Sequence, residues 1–308
     1  MEKLPYNSLR EYYSGKYRER VQKITVSLPF TCPHMEEDGS GGCTYCHKGS
    51  IPNLNDPQLP MAKQMATGIT AAQKRYGPDT KFIVYFQTHT NTNAPIAELK
   101  RIYDEAFNHV NVIGLDIGTR PDCAGDDVIE LLDSYCSQGY EVWIEFGLQS
   151  ANNATLKSIN RGHTAGDFTA AVIRAKKTRL KITAHMIVGL PGETKADYMK
   201  SASLIASLGV HAIKIHPLHV MEGTVMGDEY KKKPFDVLHL DDYIEVLADI
   251  IEILPPEMIV MRYTSEAVES HLLAPNYCRP EYKIVLKQML ISEFEKRGTR
   301  QGVKAGSL

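Results

Sequence analysis

The stretch KITAHMIVGLPGETKADYMKSASLIASLG (181–209) contains one complete strand-and-helix unit. Its first part, residues 181–189, is short, rich in β-branched residues and apolar on both faces, as buried parallel strands are. A helical pattern follows and ends at Gly209, a residue type that commonly terminates helices. A unit of this kind predicts a parallel sheet covered by helices.

The same unit recurs along the chain. Helical patterns over 95–107 and 126–139 separate strand-like runs whose starts are mostly about 30 to 40 residues apart, the spacing of repeated βα units. We therefore predict an α/β fold, a partial (β/α)6 TIM-type barrel with a C-terminal helical and strand extension; a flat doubly wound sheet is the alternative. The other five strand-like runs are 23–28, 81–86, 111–118, 142–148 and 211–218.

The regular spacing ends near residue 220, and no linker marks a second domain. We expect residues 1–20 to be an N-terminal extension that packs on the barrel and 21–220 to form the core. Residues 221–308 are then a C-terminal extension of the same domain. Within it, LDDYIEVLADIIEIL is an amphipathic helix and EMIVMRYT (257–264) a possible further strand.

Composition places the chain among ordinary globular proteins. It has 308 residues, 43% hydrophobic and 23% charged, with a formal net charge of −2, so no global basic field indicates a nucleic-acid partner. The N-terminus has no signal-peptide pattern, and no apolar run approaches the roughly 18 residues of a membrane span. We expect a cytoplasmic protein without a membrane partner, whose cysteines are metal ligands or catalysts rather than disulfides.

Three of the six cysteines lie within FTCPHMEEDGSGGCTYCHKG (30–49), directly after the first strand. Cys32, Cys43 and Cys46 have the spacing C-x10-C-x2-C. They are either unrelated core cysteines, a zinc site completed by His34 or His47, or the ligands of an iron–sulfur cluster. Three thiolates on a four-iron cluster leave one iron free for another ligand. The position after a strand places this loop at the carboxyl edge of the sheet, where barrels of this kind hold their active sites.

The remaining cysteines do not complete a second site. Cys136 lies on the apolar face of a helical pattern and is predicted to be a core residue. Cys123 and Cys278 are far apart in sequence, and their roles as possible thiol or radical participants stay open.

The motifs, taken in order, resemble the radical S-adenosylmethionine (SAM) superfamily. Its members hold a [4Fe–4S] cluster with three cysteines, usually as C-x3-C-x2-C; the wider first gap here is similar to the Elp3-like branch, and several stretches resemble its YhcC/YtqA-like group. Those stretches are YNSLREYYSGKYRERVQKITV, YFQTHTNTNAP, IGTRPDC, EFGLQSANNATLKSINRGHT, HMIVGLPGET, KIHPLHVMEGT and RGTRQG.

The resemblance implies a radical SAM enzyme whose cofactors are a [4Fe–4S] cluster and S-adenosyl-L-methionine. SAM would bind the open iron, and an electron from the cluster would cleave it to a 5′-deoxyadenosyl radical that abstracts hydrogen from the substrate. The protein would orient and shield this chemistry. An external electron donor of the flavodoxin or ferredoxin type is then a partner.

The resemblance also implies roles for individual positions. Cys32, Cys43 and Cys46 match the cluster ligands. Arg161 matches an arginine that binds the methionyl carboxylate, a bidentate role that suits a guanidinium. The cofactor-binding residues implied in this way are Gln87, Glu145, Gln149, Ser150, Arg161, His185, Gly189, Gly192 and His216.

Each of these positions also has a structural interpretation. Gln149 and Ser150 could satisfy a turn, Arg161 could form a surface ion pair, and His185 could be a hydrogen-bonded core histidine. The chain departs from the Elp3-like pattern at Gly118, where relatives often carry glutamate, so that Asp116 or Glu145 is left to supply a carboxylate.

The resemblance suggests a substrate class, the wobble uridine of tRNA. Basic stretches near residues 10–23, 230–233 and 295–304 suit phosphate contacts, and Tyr12, Tyr13 and Tyr17 could stack on bases. Two alternatives remain: a radical SAM enzyme acting on a small molecule or peptide, and a non-catalytic iron–sulfur or zinc protein. The sequence gives no oligomeric state.

Overall fold

The core of the protein is a sheet of seven parallel strands with the order β1-β2-β3-β4-β5-β6-β8. It is seen in a computed structural model that describes residues 4–36, 40–46, 56–265, 267 and 269–306. The strands are β1 (Val21–Val26), β2 (Lys81–Phe86), β3 (Val112–Thr119), β4 (Glu141–Gln149), β5 (Lys181–Val188), β6 (Ala212–Pro217) and β8 (Ile259–Arg262), with β7 (Val220–Met221) and β9 (Leu272–Ala274) forming a separate antiparallel pair.

Most of the helices cover the outer face of this sheet. The helices of the described residues are α1 (Leu9–Lys16), α2 (Met61–Tyr76), α3 (Ile96–Ala106), α4 (Asp126–Ser137), α5 (Asn153–Ser158), α6 (Ala165–Ala175), α7 (Lys195–Ser207), α8 (Val225–Lys232), α9 (Leu240–Ile253) and α10 (Tyr282–Arg297). Among the described residues, no helix is both long and apolar enough to cross a membrane.

The sheet curls into a half-barrel, which confirms the predicted α/β partial-barrel class. All six predicted strands are present, and the possible strand at 257–264 is β8, which extends the sheet beside β6. Alternation along the strands explains the layering. Val84, Ile144 and Ile182 point outward into the main hydrophobic core beneath the helices, while their chain neighbours point into the barrel.

Capping residues begin the helices where the sequence supplies them. Thr164 and Asp167 form a capping box at the start of α6, and Thr194 and Asp197 do the same for α7. The chain after α7 reverses at Gly209, whose φ of +60° is one that glycine adopts without the strain of a side chain. These signals begin the helices that follow β4 and β5 and turn the chain back toward the sheet before β6.

Helix α1 closes the amino end of the barrel. The Tyr12 hydroxyl donates to Oε1 of Glu141 at 2.7 Å, the Tyr17 hydroxyl donates to Oε2 at 3.0 Å, and the Tyr12 ring stands edge-on to Trp143. Tyr13 is buried against Val21 and Ile83 of the barrel. The interpretation of Tyr12, Tyr13 and Tyr17 as base-stacking residues is therefore wrong, because their rings pack against the barrel interior at the end opposite the cysteine loop.

Candidate active site

The cysteine loop leaves β1 at the carboxyl edge of the sheet, and two of its cysteines are buried there. Cys32 accepts a hydrogen bond from the Thr90 hydroxyl, with 3.1 Å between Oγ1 and Sγ. The backbone N–H of Cys46 donates to the carbonyl of Cys43 at 3.0 Å, so a tight turn joins these two residues. His47, a candidate fourth zinc ligand, lies outside the described residues.

Two glycines allow the loop to fold back on itself. Gly41 and Gly42 have φ angles of +74° and +71°, and the Gly42 N–H donates to the carbonyl of His34 at 2.8 Å. A Cβ on Gly41 would lie 2.6 Å from the His34 carbonyl oxygen, which real Cβ atoms do not tolerate. The long gap between the first two cysteines is thus closed by backbone that only glycine adopts readily.

The C-terminal part of the cysteine loop is hydrogen-bonded to the segment after β4. The Thr44 N–H donates to the carbonyl of Ile159 at 2.9 Å, and the Asn160 amide donates to the carbonyl of Gly42 at 2.6 Å. The Met226 N–H at the start of α8 donates to the Thr44 carbonyl at 2.8 Å. Residues distant in sequence therefore hold the last two cysteines in place.

Arg161 reaches the cysteines from this anchoring segment. Its Nη1 lies 3.4 Å from Sγ of Cys43, and its Nη2 donates to the carbonyl of Gly147 at 2.8 Å. Its Nε is buried and has no hydrogen-bond partner among the described residues. A buried guanidinium with a donor left over is costly unless a ligand completes it, and it rules out the surface ion pair considered from sequence.

Two predicted site residues, Arg161 and Gln149, converge on Gly147. A Cβ at this position would lie 2.6 Å from Nη2 of Arg161 and 2.6 Å from Nε2 of Gln149. Gln149 has a φ of +72° and lies at a break in the β4–β5 register. Arg161, Gln149 and Cys43 thus surround a glycine at the carboxyl end of β4.

Arg120, which directly follows β3, contacts this group and was not identified from the sequence as a site residue. It is 2% exposed, and its Nη1 donates to the carbonyl of Arg161 at 2.6 Å and lies 2.9 Å from Nδ1 of His34. Asp122 accepts from its Nε and Nη2 at 3.0 and 2.7 Å. The signal available was its position directly after β3, at the carboxyl edge.

The electrostatics favour a thiolate at Cys43. A hydrogen bond from Cys46 lowers the pKa of the Cys43 thiol, and His34 and Arg161 act in the same direction against burial. The pKa of Cys46 is raised by its hydrogen bond to Cys43 and by burial, while burial raises that of Cys32. The thiolate is the form that binds metals. Nevertheless, the described residues contain no assembled group of three or more His, Cys, Asp or Glu side chains in metal-binding geometry.

Ser150 is engaged by a neighbouring carboxylate. Its hydroxyl hydrogen-bonds Oε1 of Glu193 and accepts from the N–H of Asn152 at 2.9 Å, which ties the end of β4 to the loop after β5. Oε2 of Glu193 is buried and has no partner among the described residues. The Ser150 contacts therefore match the turn interpretation, and Glu193 is the group left with an open acceptor.

Glu145 and His185 form a second group deeper in the barrel. Nε2 of His185 lies 2.8 Å from Oε2 of Glu145, and the His185 and His216 rings are 5.3 Å apart. Glu145 is 1% exposed and also accepts from Lys214 and Tyr85. Its carboxylate is satisfied by side chains of the protein, and its contacts do not include the cysteine loop.

The other predicted residues lie at the carboxyl ends of their strands. Gln87 directly follows β2 and its N–H donates to the Val26 carbonyl at 3.1 Å. Gly189 and Gly192 follow β5 with φ angles of +100° and +81°. A Cβ on Gly189 would meet Leu218 and Leu238 at 3.5 Å, whereas one on Gly192 would meet open space.

These features define a class of protein: a parallel half-barrel with a thiolate-bearing loop and a buried guanidinium at its carboxyl edge. The sequence model of the Radical SAM superfamily matches residues 37–205, more than half of the chain, and that of the Radical_SAM C-terminal domain matches 210–292. The chain belongs to the radical SAM superfamily.

Curated relatives agree with this assignment. Protein YhcC of Escherichia coli K12 is 37% identical over 266 residues, which cover 85% of this chain and 84% of the relative. The resemblance to the YhcC/YtqA-like group is thereby confirmed. A tRNA uridine(34) acetyltransferase of Dehalococcoides mccartyi is 23% identical over 273 residues, covering 77% of this chain and 57% of the relative.

A solved structure shows the same fold. The archaeal Elp3 of Methanocaldococcus infernus with an N-terminal deletion superposes with a TM-score of 0.67 at 21% identity. The match covers 92% of this chain but 64% of that one, slightly less than two thirds of its length.

The cofactors of the superfamily are a [4Fe–4S] cluster and SAM. The residues present fit both groups. Cys32, Cys43 and Cys46 offer the thiolate chemistry that iron requires. The unpartnered Nε of Arg161 beside Cys43 suits a carboxylate held next to the cluster.

Proposed function

We propose that this protein is a radical SAM enzyme that modifies the side chain of the wobble uridine of tRNA. When bound, the cluster and SAM supply a 5′-deoxyadenosyl radical that abstracts a hydrogen atom from the substrate. The observation that carries the radical chemistry is the buried Arg161 guanidinium, which lies 3.4 Å from the Cys43 sulfur and retains an unused N–H donor. An external electron donor of the flavodoxin or ferredoxin type completes the reaction.

The protein contributes binding and orientation. Cys32, Cys43 and Cys46 hold the cluster, while Arg161 binds the carboxylate of SAM with the donor that it has free. Gln149 is placed beside it to reach hydroxyl groups of the nucleoside. Arg120 fixes this arrangement, because it donates to the Arg161 carbonyl and contacts His34 of the cysteine loop.

The tRNA assignment is supported by the likeness to a tRNA uridine(34) acetyltransferase and by basic residues beside the site. Lys232 and Lys233 are exposed at the end of α8, whose N-terminus is hydrogen-bonded to the cysteine loop. Lys157 is exposed on α5, whose Leu156 packs in the same small hydrophobic cluster as residues of α8. Exposed lysines at the mouth of a site attract phosphates.

The other two basic stretches lie elsewhere. Residues 18–20 directly precede β1, at the amino end of the barrel. Near the C-terminus, Arg297 and Lys304 pair with acidic residues of α9. We therefore assign phosphate contacts to Lys157, Lys232 and Lys233 alone.

The nucleoside profile of a deletion strain tests the substrate. Wobble nucleosides from total tRNA are analysed by mass spectrometry, and the strain is complemented with wild type or Cys43→Ser. We expect an altered wobble nucleoside that wild type restores and Cys43→Ser does not. An unchanged profile in the deletion strain would refute the tRNA assignment and favour a small molecule or peptide as substrate.

Charge reversal tests the binding surface. The double variant Lys232→Glu/Lys233→Glu should weaken binding of bulk tRNA at least about 10-fold at moderate salt, because each lost phosphate contact also removes counterion release. The matched control, Arg18→Glu/Lys74→Glu, reverses two exposed charges at the amino end of the barrel. Equal losses in both doubles would show that α8 is not the specific surface.

The catalytic class is tested directly. Reconstituted protein with dithionite and SAM should form 5′-deoxyadenosine. A protein that holds about four irons and never forms it is a non-catalytic iron–sulfur protein, and one that copurifies with zinc instead is a zinc protein.

A further inference from the structure

A layer of charged side chains and one tyrosine crosses the barrel beneath the cofactor residues. Five of the seven strands each contribute one side chain to this layer, and the curl of the sheet brings the ends of these side chains together. The members are Lys23 of β1, Tyr85 of β2, Asp116 of β3, Glu145 of β4 and Lys214 of β6. Nothing in the radical chemistry described above uses this layer.

Glu145 is the hub of the layer. Its Oε2 accepts from the Tyr85 hydroxyl at 2.8 Å and from Nζ of Lys214 at 2.5 Å, and its Oε1 lies 3.3 Å from Nζ of Lys23. Burial alone would raise the pKa of Glu145, but Lys214 and Lys23 hold it well below its ordinary value. The hub is therefore an ionised carboxylate that can only accept hydrogen bonds.

That carboxylate determines how His185 is protonated. Because Nε2 of His185 lies 2.8 Å from an acceptor, Nε2 carries the hydrogen in the neutral ring. Nδ1 is then a lone-pair acceptor, and it makes no hydrogen bond within the described part of the chain. The side chain is 19% exposed, so part of the imidazole remains accessible.

His185 is also next to the cofactor residues. Its register partner across β4–β5 is Gly147, around which Arg161 and Gln149 gather. Gly147 has no side chain, and Nη2 of Arg161 and Nε2 of Gln149 occupy the space where its Cβ would lie. His185 thus contacts Glu145 of the layer and lies beside the strand position on which Arg161 and Gln149 converge.

We propose that His185 accepts a proton from the substrate and that Glu145 positions it for that step. This rests on the proposed radical function and deepens it. An N–H or O–H bond of the substrate breaks, its electron pair stays on the substrate, and a new N–H bond forms at Nδ1. The ionised Glu145 stabilises the imidazolium at Nε2, as a carboxylate does behind a catalytic histidine.

The proposal defines a chemical class of substrate. A nitrogen or oxygen attached to a radical-bearing carbon releases its proton far more readily than the same group in a closed-shell molecule. The hydrogen atom is therefore taken from a carbon that bears an amine or hydroxyl group, and His185 removes the heteroatom proton. On a uridine, this points to a side-chain carbon next to nitrogen or oxygen rather than to a ring carbon.

Several charged groups face the imidazole and determine its titration. Burial lowers the pKa of His185, the Glu145 contact raises it, and Lys214 and Lys23 lower it. The His216 ring of β6 lies 5.3 Å from the His185 ring, and Arg262 of β8 acts on His216; Asp116 and Tyr85 belong to the same layer. The ring is thus neutral and able to accept a proton near pH 7.

The test compares His185→Gln and Glu145→Gln with His211→Asn, a distant histidine variant. Reconstituted full-length proteins are given tRNA from the deletion strain, and modified nucleoside is measured per 5′-deoxyadenosine formed. We expect this ratio to fall about 100-fold or more in His185→Gln, the usual size of a general-base effect, and to be unchanged in His211→Asn. A ratio retained in His185→Gln would overturn the proposal.

The pH profile separates positioning from mere packing. The wild-type ratio should fall on the acid side of the profile as His185 is protonated, and His185→Gln should be flat there. Glu145→Gln should move the acid limb to lower pH, because the imidazolium loses its counter-charge. An acid limb that is the same in all three proteins would contradict the proposed roles of His185 and Glu145.

A spectroscopic measurement keeps this result distinct from failure of the proposed function. In ¹⁵N-histidine-labelled full-length protein, the resonance absent from His185→Gln is assigned to His185. We expect the Nε2–H form in wild type and loss of that preference in Glu145→Gln. If no protein forms 5′-deoxyadenosine, the proposed function fails while this measurement still tests the pair; a wild-type Nδ1–H form would refute the pair itself.

Discussion

Nη1 of Arg161 lies 3.4 Å from Sγ of Cys43, although 118 residues separate the two along the chain. This contact joins the cysteine loop after β1 to the segment after β4, and Arg120 locks it through the Arg161 carbonyl. A buried cation beside Cys43 and a donor left open at Nε together suit a carboxylate bound next to the proposed cluster.

Arg161 should govern SAM affinity more than cluster content. We expect Arg161→Lys to weaken SAM binding by about 10- to 100-fold, because a lysine ammonium cannot contact Cys43 and Gly147 and also offer a third donor in the place of Nε. Equilibrium dialysis of SAM against reconstituted protein measures this, with iron content determined in parallel. The control is Arg174→Lys, a partly exposed arginine on α6 paired with Asp126. Wild-type affinity in Arg161→Lys would contradict the assigned role.

The three loop cysteines should be separable from the others by iron content. Single serine variants of Cys32, Cys43 and Cys46 should each lose most iron and the brown absorbance after anaerobic reconstitution. Cys136→Ser should retain both, because Cys136 is half-buried on α4 and packs against the main core. Full iron in any of the first three variants would remove that cysteine from the ligand set.

Glu141 should contribute strongly to the free energy of unfolding, because it holds helix α1 against the amino end of the barrel. It accepts from Tyr12, Tyr17, Lys16 and the Trp143 indole, and these donors hold its pKa below the ordinary value although burial opposes them. Glu141→Gln turns one acceptor into a donor facing other donors. We expect a loss of about 2 to 4 kcal/mol in urea unfolding of the apoprotein, against little change in the exposed Glu130→Gln.

His211 should lower the free energy of unfolding at mildly acidic pH. Its Nδ1 accepts from the N–H of Ile182 at 3.1 Å, and burial, with Lys181 and Lys176, lowers its pKa to about 4. The unfolded chain, with an ordinary pKa near 6.5, binds the proton first. Stability tied to His211 is therefore complete above pH 6.5 and is lost as pH falls toward 4.

The variant His211→Asn keeps an acceptor oxygen and removes the titration. Wild type should lose up to about 2 kcal/mol relative to His211→Asn between pH 6.5 and 4, after allowance for partial exposure. Urea unfolding of both apoproteins at several pH values measures the difference. A gap that does not change with pH would contradict the assignment to His211.

The fold followed from sequence because strand periodicity and chain spacing are local signals. The cysteine loop could also be predicted, since three cysteines and several glycines are close together in the chain. Contacts that depend on curling the sheet could not be found in this way. Lys23, Glu145 and Lys214 each lie within an ordinary-looking strand, and only the half-barrel brings their charged ends together.

Two sequence interpretations illustrate the limit. Tyr12 and Tyr17 are in a basic, polar stretch that is typical of a surface, yet Glu141, more than 120 residues away, draws their hydroxyls to the barrel. Glu145 is predicted to bind the cofactor because of its motif, and that role stays a prediction; its observed hydrogen bonds go to β1, β2, β5 and β6. In both cases, a distant partner decides where the side chain lies.

The tyrosine-bearing helix under the barrel has one further consequence. In the described part of the chain, Tyr12 and Tyr13 close the amino end of the half-barrel, so ligands would approach from the carboxyl edge, where the cysteine loop lies. A cofactor and a substrate that share this approach would bind in order, with the cofactor first. A large substrate would then have to dissociate before the spent cofactor.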